Sequence, residues 1–400
     1  MKLEKKHTET IKNQFAQINS KKDIIDLINY VNQLVYGKDF KPLTDKGFNY
    51  YANPQVSKKR YKTFFVKKKS GGERIINSPV NGLKHILRPL NVILNSIAEP
   101  HHKAMGFVPN KSIVDNAIQH VNMHYVYNMD LKNFFHAFDR NRVKLGFMYP
   151  PFNLSGDLEP LAFLLASLCT HPFEIEGELK TVLPQGAPTS PTITNMLCVK
   201  LDRRLNGLAK RFNINYSRYA DDITFSSQTN VFTKEEFLVE LNRIIKDQEF
   251  EINPTKTRLQ KTGYRKEVTG LVVNAKVNVN TRYIKQLRMW LYYWENYGYA
   301  KAEQIFRRDY AIDKGHVKKG APSLENVLLG KLEYLKMVKG NTDPTYIKLY
   351  KRYTKLIGGK ESCMSNNSSK KIEEKSQDKN LLQIVESIFV NGIEKAMDKY

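Results

Sequence analysis

Alternating apolar and polar positions mark three extended segments in the first two thirds of the chain. In residues 215–227 the alternation runs on both sides of the adjacent acids Asp221 and Asp222. A period of two on both sides predicts strand, turn and strand. Two β-rich runs around Ser70-Gly71-Gly72 predict a second hairpin, and residues 125–138 begin as a strand and turn towards helix.

The remaining apolar positions recur mostly with helical spacing, which predicts helices. A break or kink is expected at Pro89, because proline disrupts a helix interior. The predicted helical segments are residues 1–50, 82–98, 157–172, 193–205, 237–245, 281–359 and 381–397.

Composition restricts the class of protein. The 400 residues are 41% hydrophobic, typical of a globular chain. A net charge of +24 favours a polyanionic partner such as nucleic acid. The longest apolar run, 161–169, is far shorter than the ~20 residues of a membrane span, and 1–10 lacks an apolar signal core. The three cysteines have no metal-ligand spacing, so we expect reduced thiols in a cytoplasmic protein.

Asp221 and Asp222 are the first candidates for chemistry. Acid pairs in turns are usually structural, because Asp tolerates turn geometry, but two carboxylates at a hairpin tip can also hold a hard cation. Asp130 ends a predicted strand, where it can be a helix N-cap or can point into a cleft as a third ligand. Since 91 residues separate Asp130 from Asp221, only a folded sheet brings them together.

Six segments in one order resemble the reverse transcriptases of bacterial retrons. They are the basic hairpin, Asn116-Ala-x-x-His120, Asp130, Gln185-Gly-Ala-Pro-Thr-Ser-Pro191, Tyr219-Ala-Asp-Asp222 and Val268-Thr269-Gly270. The resemblance covers roughly residues 55–355. It implies an α+β right-hand polymerase fold, with fingers, a palm whose antiparallel sheet is backed by helices, and a helical thumb.

The resemblance implies two-metal nucleotidyl transfer, with Asp130, Asp221 and Asp222 holding two Mg²⁺ ions. Lys256 would lie near the leaving pyrophosphate, although a solvated loop lysine is an equally good interpretation. Four residues would bind the incoming nucleotide: Arg74 by gripping phosphate oxygens, Phe135 by excluding a 2′-hydroxyl, Gln185 by direct contact, and Gly186 by allowing close backbone approach.

RNA or primer binding is implied for Asn116 and His120, which share a helix face, and for Val268, Thr269 and Gly270. Residues 281–359 hold 16 Lys and Arg against 7 Asp and Glu, together with both tryptophans, Trp290 and Trp294. Some of these rings must be core, but aromatic residues among bases also suit RNA stacking.

The predicted domain organisation follows the right hand. Its parts are an N-terminal helical extension (1–50), the first part of the fingers (51–124), a palm (125–274, with a fingers segment near 140–185), a basic helical thumb (275–359), and a linker with a short amphipathic helix (360–400). The last part lacks the body's basic charge, so docking on the body of the protein or on a protein partner is expected there rather than RNA binding.

The function that the resemblance implies is a retron RNA-directed DNA polymerase. It would use dNTPs to copy part of a structured noncoding RNA, from an internal 2′-hydroxyl, into single-stranded DNA. It would act in antiphage defence with an effector protein. Two alternatives stay open: another prokaryotic reverse transcriptase, of group II intron or diversity-generating type, and a non-catalytic RNA-binding protein that retains the fold.

Overall fold

The structure is a computed structural model that describes residues 3–37, 40–67, 72–314 and 322–364. The predicted helix at 381–397 lies outside these residues, as does the Ser70-Gly71 turn. The described chain divides into two compact units, Met1–Lys261 and Thr262–Tyr400.

The first unit contains most of the secondary structure. Its helices are α1 Lys5–Ala16, α2 Lys21–Tyr36, α3 Asp45–Ala52, α4 Asn81–Ile97, α5 Ile113–Ile118, α6 Arg140–Met148, α7 Glu159–Cys169, α8 Ser190–Leu197, α9 Val199–Arg211 and α10 Glu235–Asp247. Its strands are β1 Tyr61–Lys67, β2 Glu73–Pro79, β3 Tyr125–Asp130, β4 His171–Ile175, β5 Glu178–Val182, β6 Asn215–Tyr219, β7 Asp222–Ser227 and β8 Arg258–Lys261. Short 3-10 turns span Phe134–Ala137 and Gly156–Leu158.

A four-stranded antiparallel sheet in the order β6-β7-β3-β8 lies at the centre of the first unit. Alternation gives the sheet two different faces. On one face Ile223, Phe225 and Tyr216 are buried, and the Phe225 ring packs edge-on against Phe237 of α10 at 5.6 Å. The other face is polar and includes Asp222 and its cross-strand neighbours. The apolar face therefore secures the sheet. The polar face is buried over Ser217, Thr224 and Ser226, and it becomes exposed at Asp222.

The helical N-terminal segment forms as its pattern predicts. Helix α2 begins at Ser20, where a capping box with Asp23 satisfies backbone N–H groups of the first turn, and its stripe of Ile24, Ile28 and Val31 is buried. Of the break or kink expected at Pro89, the break is wrong, because α4 continues through Pro89. Since Pro89 is itself buried within the apolar face of α4, packing of that face offsets the lost hydrogen bond.

The second unit consists of the two-residue strands β9 Glu267–Val268 and β10 Leu271–Val272 and three helices, α11 Thr281–Lys314, α12 Leu324–Lys339 and α13 Pro344–Met364. Helix α11 is interrupted at Gly298, whose φ of +75° is left-handed and favours glycine. Leucines of α12, among them Leu328 and Leu332, are fully buried.

Candidate active site

The strand β3 and the β6–β7 hairpin bring the three predicted acids to one end of the central sheet. Asp130, the last residue of β3, is the cross-strand partner of Asp222, the first residue of β7. Side chains of directly opposed residues project from the same face. The Leu131 amide also donates to the Asp221 carbonyl at 3.1 Å. Folding thus closes the 91-residue gap, as the sequence required.

The two-residue turn between β6 and β7 is tight, and neighbouring residues hold it in place. Ala220 has a left-handed φ of +58°, at a position where two-residue hairpins usually carry glycine. Its amide lies so near Gly106 that a Cβ on that glycine would approach it to 2.5 Å. The Arg218 guanidinium donates to the Ala220 carbonyl at 3.1 Å. Position, backbone strain and close packing therefore fix the turn that precedes the acids.

Arg218 is fully buried and is neutralised by Asp202 of α9. Its Nε and Nη2 atoms donate to the two carboxylate oxygens, each at 2.7 Å, and neither side chain is exposed. Tyr216 donates to the same carboxylate at 2.7 Å. Sequence reasoning did not identify this support. The signal was a charged residue at a position of β6 whose alternation places it on the apolar face with Tyr216.

The acids repel one another at the end of the sheet. Partial burial, then the charges of Asp221 and Asp130, raise the pKa of Asp222 from 3.8 to about 6. Burial and the Asp130 charge also raise the pKa of Asp221. Converging carboxylates with raised pKa values are typical of functional sites and favour binding of a cation.

Lys256 already pairs with this site. Its ammonium donates to both Asp130 oxygens, at 2.9 and 2.8 Å, and 57% of its side chain is exposed. The Asn253 amide adds a contact to Asp130 at 3.3 Å. Lys256 is therefore a partner of a predicted metal ligand, and not an unpaired loop base. Its predicted position beside a leaving pyrophosphate stays a prediction.

The donor set suits magnesium. Within the described residues, no group of three or more His, Cys, Asp or Glu side chains is gathered tightly enough to hold a metal ion as it stands. However, the three acids supply only hard oxygen donors, which Mg²⁺ prefers. The ammonium of Lys256 bound to Asp130 also shows that the site accommodates a cation. The residues present thus fit a magnesium site by their chemistry.

The predicted nucleotide-binding residues lie on neighbouring elements of the first unit. Phe135, in the 3-10 turn after β3, is half-buried, and its ring lies 6.3 Å from that of Phe107. Phe134 and Phe138 are buried in the core. Arg74 is exposed on β2.

The loop that carries Gln185 is attached to β2. The Gln185 carbonyl accepts a hydrogen bond from the Asn77 amide at 2.8 Å. Gly186 has a φ of +124°, and a Cβ there would lie 2.9 Å from the Asn77 carbonyl oxygen and from Ile76. The atoms that approach Gly186 belong to β2. Its predicted close approach to a ligand stays a prediction.

Asn116 and His120 are 1% and 0% exposed, so the expectation that they bind RNA or primer directly is also corrected. Both instead hydrogen-bond to serines of the β6–β7 hairpin. The shared helix face was not predicted correctly, because α5 ends at Ile118 and His120 lies after it. Both side chains nevertheless contact Ser217, so the surface that they meet is the protein's own sheet.

Comparison with known proteins decides the family. The family model described as reverse transcriptase (RNA-dependent DNA polymerase) matches residues 66–275, just over half of the chain and almost all of the site above. The chain belongs to the reverse transcriptase family. Membership confirms the right-hand polymerase class, and the mixed helices and antiparallel sheet confirm the α+β expectation.

Retron enzymes are among the relatives. The chain is 37% identical to the retron Mx65 reverse transcriptase of Myxococcus xanthus over 60% of this chain and 57% of that protein. It is 37% identical to the retron Mx162 reverse transcriptase of the same organism over 54% of this chain and 47% of that protein. It is 32% identical to the retron Ec86 reverse transcriptase of Escherichia coli over 57% of this chain and 68% of that protein. The chain thus spans about half the length of the two Myxococcus relatives and resembles retron-type family members, as predicted.

A solved telomerase from Candida albicans aligns with a TM-score of 0.41 and 11% identity, over 74% of this chain and 63% of that one. We draw no argument from so distant a likeness. Among the described helices of this family member, none is both long and apolar enough to cross a membrane.

The remaining predicted residues of this reverse transcriptase family member lie in the second unit. Val268 is fully buried, and Thr269 and Gly270 form the left-handed turn between β9 and β10, with φ of +47° and +79°. Trp290 and Trp294 are only 2% and 5% exposed. The expectation that the tryptophans stack on RNA is therefore corrected, because rings packed among other side chains present no face to a base.

On the surface of α11, tyrosines rather than the two tryptophans present exposed aromatic rings. Tyr292 and Tyr297 are 50% and 57% exposed, with ring centroids 6.3 Å apart. Lys285 and Arg288 precede Tyr292 by seven and four residues, so all three share one helix face. The sequence showed the aromatic and basic composition of this segment, but it predicted RNA stacking for Trp290 and Trp294, whose rings are buried in the core.

Proposed function

We propose that this chain is an RNA-directed DNA polymerase of the retron type. One observation carries the proposal: in a reverse transcriptase family member, Asp130 and Asp222 are cross-strand partners, and Asp221 occupies the adjoining turn. A module that only binds RNA has no need of three converging carboxylates.

Asp130, Asp221 and Asp222 would hold two Mg²⁺ ions. When bound, such ions supply Lewis acidity at the primer hydroxyl and neutralise charge on the leaving pyrophosphate. The protein's own contribution is positioning, since Arg218 holds the turn and β3 aligns Asp130 with the hairpin. Lys256 contributes a positive charge beside Asp130, where triphosphate charge must also be accommodated.

Phe135, Arg74 and Gln185 would select and hold dNTPs. We expect the half-buried ring of Phe135 to exclude a 2′-hydroxyl, and the exposed Arg74 on β2 can bind phosphate oxygens with its two-pronged guanidinium. The loop of Gln185 and the strand of Arg74 are joined by a backbone hydrogen bond, which supports a shared role.

The RNA substrate would be a structured noncoding RNA that serves as template and supplies an internal 2′-hydroxyl as primer, giving single-stranded DNA as product. Similarity to several retron enzymes supports this choice. So does the surface of α11, where the exposed Tyr292 shares a helix face with Lys285 and Arg288, because bases stack on aromatic rings and phosphates attract cations. By the same similarity we propose a role in antiphage defence with an effector protein.

Replacing both turn acids tests the polymerase proposal. Asp221→Asn with Asp222→Asn should abolish Mg²⁺-dependent dNTP incorporation on a primed RNA template. The matched control is Asp157→Asn, which removes an exposed carboxylate from the 3-10 turn Gly156–Leu158 and should leave synthesis intact. Unchanged synthesis by the double variant would overturn the assignment of the acids.

The nucleic acid that copurifies with the protein tests the retron proposal. Expression with its flanking genomic transcript should yield a branched RNA–DNA species, detectable by sequencing and by debranching. Linear DNA copies of other transcripts would indicate another type of prokaryotic reverse transcriptase. Bound RNA without any DNA, from a protein that is also inactive on primed templates, would indicate an RNA-binding module.

A further inference from the structure

A chain of buried hydrogen bonds joins the segment around α5 to the hairpin that carries the acids. His120, just after α5, is fully buried, and its ring nitrogens Nδ1 and Nε2 each lie 2.7 Å from a serine hydroxyl, of Ser226 and Ser217 respectively. The Ser217 hydroxyl donates in turn to the side-chain oxygen Oδ1 of Asn116 at 2.7 Å. None of these four residues has a role in the mechanism above.

The number of available protons fixes which atom donates and which accepts in each of these hydrogen bonds. A serine hydroxyl has one hydrogen, and that of Ser217 goes to Asn116. Ser217 must therefore accept from His120 Nε2–H. Nδ1 is then unprotonated and accepts from the Ser226 hydroxyl. Burial, with a smaller effect of Lys103, lowers the pKa of His120 to about 3 and so keeps the ring neutral, as this arrangement requires.

The chain is attached to the face of the sheet that carries Asp222. Ser226 is four residues after Asp222 on β7, and a period of two places both on the same face. Ser217 pairs with Thr224, which lies between them on that face. Since Ser217 belongs to β6 and Ser226 to β7, the His120 ring bridges the two strands of the hairpin directly.

We propose that Asn116, Ser217, His120 and Ser226 form a positioning device that sets the orientation of the hairpin, and hence of Asp221 and Asp222. Arg218 supports the turn from the apolar face, and His120 fixes the strands from the polar face. The inference rests on the proposed polymerase function, and it assigns the Asn-Ala-x-x-His segment to positioning rather than to RNA contact.

Loss of the device should act on chemistry more than on nucleotide binding. A shift of the acids of about 1 Å can reduce a rate by about 100-fold, so we expect Ser226→Ala and Ser217→Ala each to lower the single-turnover incorporation rate by about 10- to 100-fold. Misplaced carboxylates should also raise the Mg²⁺ concentration that gives the half-maximal rate, whereas the KM for dNTP should stay within about twofold.

The matched control is Thr170→Val. Thr170 is fully buried, and its hydroxyl donates to the Ala166 carbonyl at the end of α7, away from the central sheet. Like Ser226→Ala, this variant loses one buried hydrogen bond. Its thermal midpoint should therefore fall comparably, but its rate per active site and its Mg²⁺ dependence should not change. Rates are measured on the full chain with active sites titrated, which removes any effect of unfolded protein.

The double variant Ser217→Ala with Ser226→Ala gives a second measurement. If one ring joins both serines, the double variant should lose less than the product of the two single losses, because either loss already frees the ring. Two outcomes would overturn the proposal: normal rates and Mg²⁺ dependence despite a lowered thermal midpoint, or losses that multiply. An inactive wild-type protein would overturn the proposed function instead, so the two failures are distinguishable.

Discussion

The ion pair beneath the hairpin yields the sharpest prediction. Asp202→Asn leaves Tyr216 an oxygen to donate to, but leaves the charge of Arg218 buried with no carboxylate. Breaking a buried pair by removing one partner typically costs about 3–5 kcal/mol. For a unit of this size, each kcal/mol lowers the thermal midpoint by about 2–4 °C. We therefore expect a fall of about 6–20 °C, measured by near-UV circular dichroism of the full chain.

Asp247→Asn is the matched control. Asp247 also pairs with an arginine of α9, Arg204, at 2.7 Å, but both side chains are partly exposed. An exposed pair contributes about 0–1 kcal/mol, so its loss should hardly move the midpoint. If Asp202→Asn cost no more than this control, the buried pair would not be stabilising the hairpin and our reasoning would be refuted.

Replacing both partners separates stability from function. Asp202→Leu with Arg218→Met removes both charges, and apolar side chains of similar volume often replace a buried ion pair without loss. This variant should regain part of the lost stability, but not all of it, because the buried Tyr216 hydroxyl loses its acceptor. It cannot restore the contact from Arg218 to the Ala220 carbonyl, so its polymerase activity should stay low. Recovery of full activity would show that the contact to the turn is dispensable.

Three further predictions follow from single sites. Because the pKa of Asp222 is raised from 3.8 to about 6, the metal-free wild type should lose stability relative to Asp222→Asn as pH rises from about 4 to about 6; parallel thermal midpoints in EDTA would contradict this. Phe135→Ala should increase ribonucleotide use, and an unaltered dNTP/rNTP ratio would remove its role. Tyr292→Ala with Tyr297→Ala should weaken RNA binding at moderate salt without lowering the thermal midpoint, whereas Trp290→Ala should mainly lower that midpoint.

Local pattern was enough to predict the hairpin around Asp221 and the strand that ends at Asp130, because periodicity and turn chemistry are properties of adjacent residues. It was also enough for the stripe of α2. The order of the motifs then identified the family. Each motif lies within a few residues, and the order of the motifs can be read along the sequence, so no knowledge of the tertiary structure was needed.

Partners distant along the chain could not be predicted. The spacing of Asn116 and His120 predicts that they lie on one side, but nothing local reveals that they meet serines about a hundred residues away. The same holds for the rings of α11, where helical spacing does not tell which side the neighbouring helices cover. Gly186 shows a related limit: its backbone requirement was visible, but not the strand that imposes it.

The hydrogen bond from Asn77 to Gln185 has a mechanical consequence. Asn77 is three residues after Arg74 on β2, and the absence of a side chain at Gly186 lets that strand lie directly against the loop. The β1–β2 hairpin and the loop of Gln185 are therefore coupled. If Arg74 moves inward to bind a triphosphate, as proposed, we expect Gln185 to move with it, so that one movement both binds and aligns the substrate.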